Sequence, residues 1–422
     1  MKNNSKVLVK NTIMMYLLTF AKLIIPLISL PYLTRVLSVE CYGSISFVKS
    51  LYTYMQIIVD FGFLLSATKD LISTLSNKEE TDRKIGNTLY AQLMLGVIVI
   101  VAMFVCTQCF DILKGFEMYA MLAVVPCLLS VFLFEYLFKA YEKMEKIAIR
   151  FVVMKTIALI LTLLFVKGDS DVILIPIFDI ISSLIAIILV AIQLRKMGHK
   201  VNFSFKRIKE AWMSLKDSFV YFISNFATTA FTALNTVIVG IMLTKSEVAY
   251  WSLTMQLVGV IQTLYNPITT SAFPNMVKNK DLKTIHKIML IYMPIIFVGC
   301  ILILLLGDWA VELVFGANYM ASARLLKFLI PLLIVSFPAM LYGWPCLGAI
   351  EKQKLTTFTT ITAAAVQVIG LVILIAIGQF TLLNICIIRC VTETVLCVTR
   401  MSIVYKNRKL FNTNKVTLAE ES

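Results

Sequence analysis

The chain has 422 residues, of which 59% are hydrophobic and only 15% are charged, and its formal net charge is +15 at pH 7. Ordinary soluble domains are less apolar and carry more charge, so this composition excludes that class. The excess of lysine and arginine does not require a nucleic-acid partner, because basic loops and anionic lipid headgroups at the inner membrane face account for it.

Long apolar segments run through the whole chain. A helix that crosses a bilayer takes about 20 apolar residues, and about twelve segments satisfy this requirement. Their approximate bounds are 12–36, 43–66, 85–109, 117–138, 147–166, 172–194, 218–243, 248–273, 288–307, 325–347, 355–378 and 381–399. The first segment has no small-residue cleavage site, so we expect it to stay as helix one rather than be removed as a signal peptide. The pattern predicts an all-α polytopic membrane protein.

Lysine and arginine cluster in every second connection between these segments. The basic stretches are residues 2–10, 69–84, 139–150, 195–216, 278–287, 352–354 and 400–415. The alternate connections hold only Arg35, Lys114, Lys167, Lys245 and Arg324. Basic loops stay in the cytoplasm. We therefore predict a multi-pass protein of the bacterial cytoplasmic (inner) membrane with both termini in the cytoplasm.

The second half of the chain repeats the first at an offset of 206 residues, so that Gln56 falls on Gln262 and Asp60 on Asn266. Six helices per half is an even number, so both halves would insert in the same orientation, as a parallel repeat. The predicted parts are an N-terminal six-helix lobe (1–194), a cytoplasmic amphipathic linker (195–217), and a C-terminal six-helix lobe with a basic cytoplasmic tail (218–422).

Polar residues recur at steps of three and four on predicted helices one, two, seven and eight. They cannot face lipid, where they would lack hydrogen-bond partners. Such stripes serve either hydrogen bonding between helices or a shared water-filled cavity, and their presence on four repeat-equivalent helices favours the cavity. The candidate substrate-binding residues on these stripes are Thr19, Lys22, Lys49, Thr53, Gln56, Asp60, Asn225, Thr228, Asn235, Gln256, Gln262 and Asn266.

Three of these candidates are charged. A charge at the centre of a membrane helix costs about 2.5–3.5 kcal/mol on insertion scales. Lys22 lies about 14 Å into helix one at the helical rise, near the midplane. It either neutralises Asp60, in the inner third of helix two, or binds an anionic group of a substrate. Lys49 lies nearer the outer end of helix two, where its long side chain can extend the ammonium group to the membrane surface.

The other intramembrane charges lie outside the stripes. Arg389 and Glu393 are one turn apart on helix twelve and are expected to form a local ion pair. Glu135 and Lys139 are also one turn apart, near the cytoplasmic end of their helix, and are expected to have a structural role. Lys155, Asp179 and Lys327 are single charges, and the sequence assigns them no role.

Four short motifs near the start of the chain carry a family resemblance. They are PYLTRVL (residues 31–37), YG (42–43), DFGF (60–63) and SATK (66–69). Together they resemble the polysaccharide-biosynthesis flippases of the Wzx type, which move lipid-linked O-antigen, capsule or exopolysaccharide units. That family is similar to the wider multidrug/oligosaccharidyl-lipid/polysaccharide exporter superfamily. The resemblance implies two parallel six-helix lobes around a central cavity lined by helices one, two, seven and eight, the four helices that carry the stripes.

The substrate that the resemblance implies is an undecaprenyl-diphosphate oligosaccharide, moved from the inner to the outer leaflet by alternating access without a cofactor. A diphosphate needs fixed positive charge, and Lys22 is the first candidate to supply it, Lys49 the second. Sugars need hydrogen-bonding groups such as Asn, Gln and Thr. The expected partners are this lipid-linked substrate, anionic lipid headgroups, and the polymerase and chain-length regulator of the same pathway; no nucleic acid is expected.

Two other functions stay open. A cation-coupled exporter of small molecules, including drugs, would share the fold but favour buried carboxylates, of which Asp60 is the clear one on the stripes. A membrane enzyme of polysaccharide assembly, such as the polymerase, would need a large outer loop with arginines and a histidine, whereas the predicted outer loops are short. No G-x-x-x-x-G-K-[ST] motif for ATP binding occurs. The sequence therefore favours a transporter over an enzyme, with an undetermined energy source.

Overall fold

The computed structural model describes residues 2–199 and 208–411, including their side chains except those of residues 2–9, 224 and 227–232. Within these ranges every regular element is helical, which confirms the all-α prediction. Contacts between residues divide the chain into two compact units, Met1–Val248 and Ala249–Ser422.

The first unit is built from helices α1 to α9 in its described part. Their bounds are Lys2–Val36 (α1), Val39–Asp60 (α2), Phe63–Ile72 (α3), Lys78–Cys109 (α4), Glu117–Ser130 (α5), Glu135–Ala140 (α6), Met144–Phe165 (α7), Leu174–Met197 (α8) and Ile208–Met242 (α9). Short 3₁₀ turns cover Asp111–Leu113, Val131–Leu133 and Asp169–Asp171.

Helix α10 begins at the end of the first unit and continues into the second, where α11 to α16 follow. Their bounds are Lys245–Thr263 (α10), Asn266–Asn279 (α11), Leu282–Phe315 (α12), Met320–Phe328 (α13), Ile330–Leu341 (α14), Gln353–Ala376 (α15) and Leu382–Lys406 (α16). A π-helical stretch, Tyr342–Gly348, follows α14, and 3₁₀ turns cover Ala317–Tyr319 and Arg408–Phe411.

Several helices begin where a short polar side chain can bind the free amides of the first turn. Ser38, Asn77, Asp281 and Thr381 precede α2, α4, α12 and α16, and each side chain accepts a hydrogen bond from a backbone N–H two or three residues later. This is the usual N-cap arrangement. These caps stabilise the first turns of the four helices, which begin near the predicted starts of their apolar segments.

Four of the predicted spans are not single straight helices. Span 43–66 bends between α2 and α3, and span 117–138 is interrupted by the 3₁₀ turn between α5 and α6. Span 248–273 breaks between α10 and α11, and span 325–347 runs from the end of α13 through α14 into the π-helical stretch. Hydrophobic periodicity did not predict these breaks, because a bend changes the direction of a helix without changing its apolar composition.

Nine stretches among the described residues are long and apolar enough to cross a membrane, including Lys10–Val36 and Leu282–Phe315. Helices α2 and α10 also have at least 18 residues but do not meet both criteria, and the described residues of α9 include a shorter apolar stretch, Ala233–Met242. Each of these three helices carries one of the polar stripes. The nine apolar spans and these three helices together correspond to the twelve predicted segments.

In the first unit, α7 packs between α1 and α8, and α2 packs against α4, α5 and α9. Helix α9 contacts α2, α3 and α4 and belongs to this unit, and the predicted start of the C-terminal lobe, residue 218, falls within it. Residues 208–217 form the first turns of α9 and continue directly into the predicted seventh span. Residues 200–207 of the predicted linker lie outside the described residues, and the surface position of that linker stays a prediction.

His199 links three of the connections that the basic residues predict to be cytoplasmic. Its Nδ1 lies 2.6 Å from Asp82 Oδ1 and its Nε2 lies 2.8 Å from the hydroxyl of Tyr141. These side chains belong to the start of α4, the turn after α6 and the end of α8. The buried histidine therefore links three segments of the first unit that are distant in sequence.

In the second unit, α14 packs against α16 and α15 packs beside α16. A cluster of buried side chains, among them Phe337, Tyr342 and Val404, fills the space between α11, α14, the π-helical stretch and α16. Gly343 within that stretch departs from helical geometry, with φ −74° and ψ −115°. Irregular backbone at membrane depth is tolerated where protein or a cavity surrounds it.

Candidate functional site

Two threonines on the stripes of α1 and α2 have hydroxyl groups that already donate a hydrogen bond within their own helix. Thr19 is exposed and donates to the carbonyl of Met15 at 2.9 Å, and Thr53 donates to the carbonyl of Lys49 at 3.1 Å. A threonine that bonds back to its own helix keeps its oxygen available as an acceptor. These two positions can therefore accept hydrogen bonds from a polar ligand or from water.

Two lysines of the first unit are exposed without an ion pair. Lys22 lies on α1 with its Nζ 5.4 Å from the ring centroid of Phe151 on α7. Lys49 lies exposed on α2. Among the described residues, neither ammonium group comes within 4.0 Å of a carboxylate. Both cations are therefore available to an anion from outside the unit.

Two of the single charges of the sequence form a pair near Lys49. Lys155 Nζ on α7 lies 2.7 Å from Asp179 Oδ1 on α8, and both side chains are about one-third exposed. Both act electrostatically on Lys49. The sequence assigned these residues no role because they are 24 positions apart, and only the packing of α7 on α8 brings them together. This group of two lysines and one aspartate has a net charge of +1.

Asp60 bonds to an amide rather than to Lys22. Gln56 Nε2 donates to Asp60 Oδ1 at 2.9 Å and lies 3.2 Å from Ser130 Oγ, while Gln56 Oε1 accepts from the Tyr52 hydroxyl at 3.0 Å. The interpretation in which Lys22 neutralises Asp60 by direct pairing is therefore not the arrangement found here. The sequence did predict that Gln56 and Asp60 share one face of α2.

A small cavity lies beside Asp60, at the end of α2 and the break between α5 and α6. Its volume is about 120 Å³. Its polar lining residues are Gln56, Asp60, Gln92, Ser130, Glu135 and Tyr136. The last four were not among the predicted site residues, because they stand on α4 and on the broken span, where no periodic stripe marks them.

Glu135 forms an ion pair with another helix rather than with Lys139, one turn away on α6. Arg150 Nη2 on α7 lies 3.0 Å from Glu135 Oε1, and Arg150 Nη1 donates to the carbonyl of Leu133 at 2.7 Å. Arg150 is buried, although the sequence placed it in a basic cytoplasmic connection. The expected ion pair of Arg389 with Glu393 is not formed, because no guanidinium nitrogen lies within 4.0 Å of the Glu393 carboxylate. Within the described part of the chain, Arg389 Nε is buried without a hydrogen-bond partner.

The two described asparagines of the predicted stripe on α9 differ in exposure. Asn225 is exposed and Asn235 is buried, and both have interaction partners. The side chain of Thr228 lies outside the described residues. One turn before Asn225, α9 packs closely at the bend between α2 and α3, where an added Cβ at Gly62 would lie 2.6 Å from Tyr221 Cβ. This close packing leaves little space for a ligand at Gly62.

The second unit repeats one polar contact of the first. Gln262 Nε2 donates to Ser336 Oγ at 2.8 Å, and this pair has the same separation of 74 residues as Gln56 and Ser130. Both partners are shifted by the predicted offset. The structure therefore supports the sequence repeat with a side-chain contact that the sequence alone did not show.

Asn266 lies exposed at a cavity of about 420 Å³ in the second unit, whereas Gln256 is half-buried elsewhere on α10. Trp344 and Arg400 also line this cavity. Arg400 donates to the carbonyl of Ala339 at 2.7 Å and to the hydroxyls of Thr359 and Thr360. The sequence grouped Arg400 with the basic tail, whereas the structure places it against α14 and α15.

Comparison with solved structures defines the class of protein. The fold is similar to that of the lipid II flippase MurJ in an inward closed conformation, with a TM-score of 0.72 at 11% identity over 94% of this chain and 87% of MurJ. It is also similar to an inward-facing multidrug resistance MATE family transporter of the MOP superfamily, with a TM-score of 0.66 at 15% identity over 93% of this chain and 99% of the other. This is therefore a polytopic membrane protein with a transporter fold.

Comparison of sequences gives the family. The profile described as "Polysaccharide biosynthesis protein" matches residues 8–280, and the chain belongs to that family. A protein of Shigella dysenteriae named "Putative O-antigen transporter" is 26% identical over 372 residues, which cover 85% of this chain and 91% of the relative. A protein of Escherichia coli K12 with the same name is 25% identical over 355 residues, or 81% and 84% of the two chains. The family resemblance predicted from the motifs is confirmed.

Proposed function

We propose that this protein is a flippase that moves an undecaprenyl-diphosphate-linked oligosaccharide, an O-antigen, capsule or exopolysaccharide unit, from the inner to the outer leaflet of the bacterial cytoplasmic membrane by alternating access. The family and the names of the two relatives support polysaccharide transport. Within this proposal, anionic lipid headgroups meet the basic cytoplasmic loops, and the polymerase and chain-length regulator of the same pathway receive the product.

The observation that carries the proposal is the pair of exposed, unpaired lysines in the first unit. A diphosphate leaves water only when fixed positive charge replaces its hydration. Lys22 supplies such a charge on α1 and Lys49 supplies a second on α2. Hydroxyl groups on the stripes of these two helices, including those of Thr19 and Thr53, can bond to sugar hydroxyls. The polyprenyl chain can remain in the surrounding lipid.

The test is complementation of surface polysaccharide in a strain that lacks its own flippase. We expect Lys22→Ala to abolish the polysaccharide and Lys22→Arg to retain part of it, because arginine keeps the charge. Binding of undecaprenyl diphosphate to the purified variant should weaken about tenfold or more, as expected for the loss of a charge-assisted contact. The matched control is Lys196→Ala, an exposed lysine at the end of α8, which should complement normally.

A double variant separates ligand binding from charge neutralisation. Because Asp60 bonds to Gln56 and not to Lys22, removing both charges should not restore function, so Lys22→Ala with Asp60→Asn should stay inactive. Complementation by the double variant at the wild-type level would show that Lys22 only balances Asp60. That result would remove Lys22 as the phosphate ligand.

One observation favours a second function, a cation-coupled exporter of small molecules. Asp60 is a half-buried carboxylate with an amide partner, as a site for a cationic cargo would require. Measuring drug susceptibility in an efflux-deficient strain distinguishes the two functions. Resistance conferred by the wild-type chain and lost in Asp60→Asn, with no effect on surface polysaccharide, would support the exporter and contradict the flippase.

A further inference from the structure

The cavity beside Asp60 contains more negative than positive charge. Asp60 and Glu135 both line it, and Arg150 pairs with Glu135 at 3.0 Å. Among the described residues, no cation lies within 4.0 Å of the Asp60 carboxylate. Lys22 acts on Asp60 only from a greater distance. With both carboxylates ionised, the local net charge is therefore −1, and an uncompensated carboxylate at membrane depth costs several kcal/mol.

Two buried oxygen atoms at the cavity have no hydrogen-bond partner in the described part of the chain. They are Gln92 Oε1 and the Tyr136 hydroxyl, on side chains of residues that are 6% and 3% exposed. Both residues line the cavity together with Asp60. A buried polar atom without a partner costs about 1–3 kcal/mol. Such atoms beside an unbalanced carboxylate indicate a group that binds there.

The second unit indicates that the two carboxylates are not required to hold the broken helices. At the offset of 206, Gln56 and Ser130 recur as Gln262 and Ser336 with the same hydrogen bond. A guanidinium group is also kept, since Arg400 donates to the carbonyl of Ala339, the position that corresponds to Leu133. The positions of Asp60 and Glu135, by contrast, are occupied by the neutral residues Asn266 and Leu341. The carboxylates of the first unit thus need another explanation.

We propose that the cavity binds one small monovalent cation of the Na⁺ type. Its ligands would be oxygens of Asp60, Glu135, Gln92 and Tyr136, and hard cations prefer oxygen ligands. One positive charge balances the net −1, whereas a divalent ion would leave an excess. The described residues also hold no group of three or more His, Cys, Asp and Glu side chains able to bind a metal ion.

The local backbone supports a cation at this point. The 22-residue helix α2 ends at Asp60, and the C-terminal end of a helix dipole is negative. The cavity also adjoins the interrupted span between α5 and α6, and interrupted membrane helices commonly border ion sites. A cation bound there contacts residues of α2, α4 and α6. Its binding would fix the angle at both helix breaks of the first unit.

The proposal is tested by equilibrium binding of ²²Na⁺ to the purified full-length protein in detergent at pH 8, with choline replacing Na⁺ at constant ionic strength. We expect one displaceable Na⁺ per wild-type chain and none in Asp60→Asn. Gln92→Leu should bind at least tenfold more weakly. Its thermal midpoint in choline should stay close to that of the wild type, because the loss of the 3.4 Å bond from Gln92 Nε2 to the Val59 carbonyl is offset by the removal of an unpartnered buried oxygen.

The repeat provides a matched pair of controls. Ser130→Ala and Ser336→Ala each remove the acceptor of a Gln–Ser hydrogen bond, but only Ser130 lines the cavity. We expect Ser130→Ala to weaken Na⁺ binding and Ser336→Ala to bind like the wild type. Absence of binding in the wild type, or wild-type binding by Asp60→Asn or by folded Gln92→Leu, would overturn the proposal. The measurement does not depend on the transported substrate, so it is independent of the proposed flippase activity.

Discussion

Phe61 and Gly62 show how single residues determine the course of a spanning segment. Both have positive φ, 39° and 77°, and they separate α2 from α3. Glycine adopts this conformation without a steric penalty. Gly62 also allows close packing, since an added Cβ would lie 2.6 Å from Tyr221 Cβ and 2.8 Å from the backbone nitrogen of Phe222. The sequence motif containing these residues therefore has a structural explanation, namely the bend and the contact with α9.

We predict that Gly62→Ala destabilises the protein by at least about 2 kcal/mol, the sum of a disfavoured φ and a clash that involves backbone atoms. The measurement is the thermal unfolding midpoint of the purified variant in detergent. Gly259→Ala on α10 is the control, because its added Cβ meets no atom within 4 Å and alanine favours the helix. Equal midpoints for the two variants would show that the bend at Gly62 is not constrained as described.

At the scale of elements, the break between α5 and α6 depends on a neighbouring helix. Phe134 has a positive φ of 46° and the preceding turn is 3₁₀, so the chain cannot continue its α-helical hydrogen bonds there. Arg150 on α7 compensates by binding the carbonyl of Leu133 and the carboxylate of Glu135. One buried guanidinium group thus satisfies both sides of the break. Its planar fork of donors is suited to binding two acceptors at once.

Arg150→Met is predicted to lower stability by about 2–3 kcal/mol, because it leaves the Leu133 carbonyl without its donor and Glu135 without its counter-ion. The estimate is below the range for a fully buried pair because the Glu135 side chain is 43% exposed. Thermal unfolding in detergent measures the loss. Lys114→Met is the control, since its pair with Asp111 is almost fully exposed and such pairs contribute little. A midpoint for Arg150→Met at the wild-type value would contradict this role.

At the scale of the whole molecule, the sequence repeat and the loop charges predict how the chain is inserted. The contact between Gln56 and Ser130 recurs between Gln262 and Ser336, so the two halves share a local scaffold. Their ionisable residues differ at the equivalent positions, which indicates different roles for the two halves. An even number of spans per half predicts one orientation for both halves, and the basic loops predict which side faces the cytoplasm.

The orientation is tested with single cysteines in a background without the native ones, labelled by a membrane-impermeant thiol reagent. We predict that cysteines at Asn77, Asn202 and Asn279 are protected in intact cells, while cysteines at Ser170 and Asn318 are labelled. Asn202 lies outside the described residues; the other four positions are exposed. Permeabilised cells provide the control for reactivity. External labelling at Asn77 and Asn279 would reverse the predicted topology.

The sequence by itself determined the class of fold, the family and one face of α2. Apolar length and loop charge depend on local composition, because each spanning helix satisfies its own backbone hydrogen bonds in the bilayer. The helical period likewise places Gln56 and Asp60 on one face without reference to other helices, and the structure joins them at 2.9 Å. Four motifs within residues 31–69 were enough for the family resemblance.

Only the tertiary structure decided how charges from different helices combine. Arg150 and Glu135 are 15 residues apart, Lys155 and Asp179 are 24 apart, and neither pair has a sequence spacing that predicts contact. The partners of a charge in a membrane bundle depend on which helices pack together and where they break. Gln92 and Tyr136 became candidates for the same reason, since an unpartnered oxygen can be recognised only when all its neighbours are known.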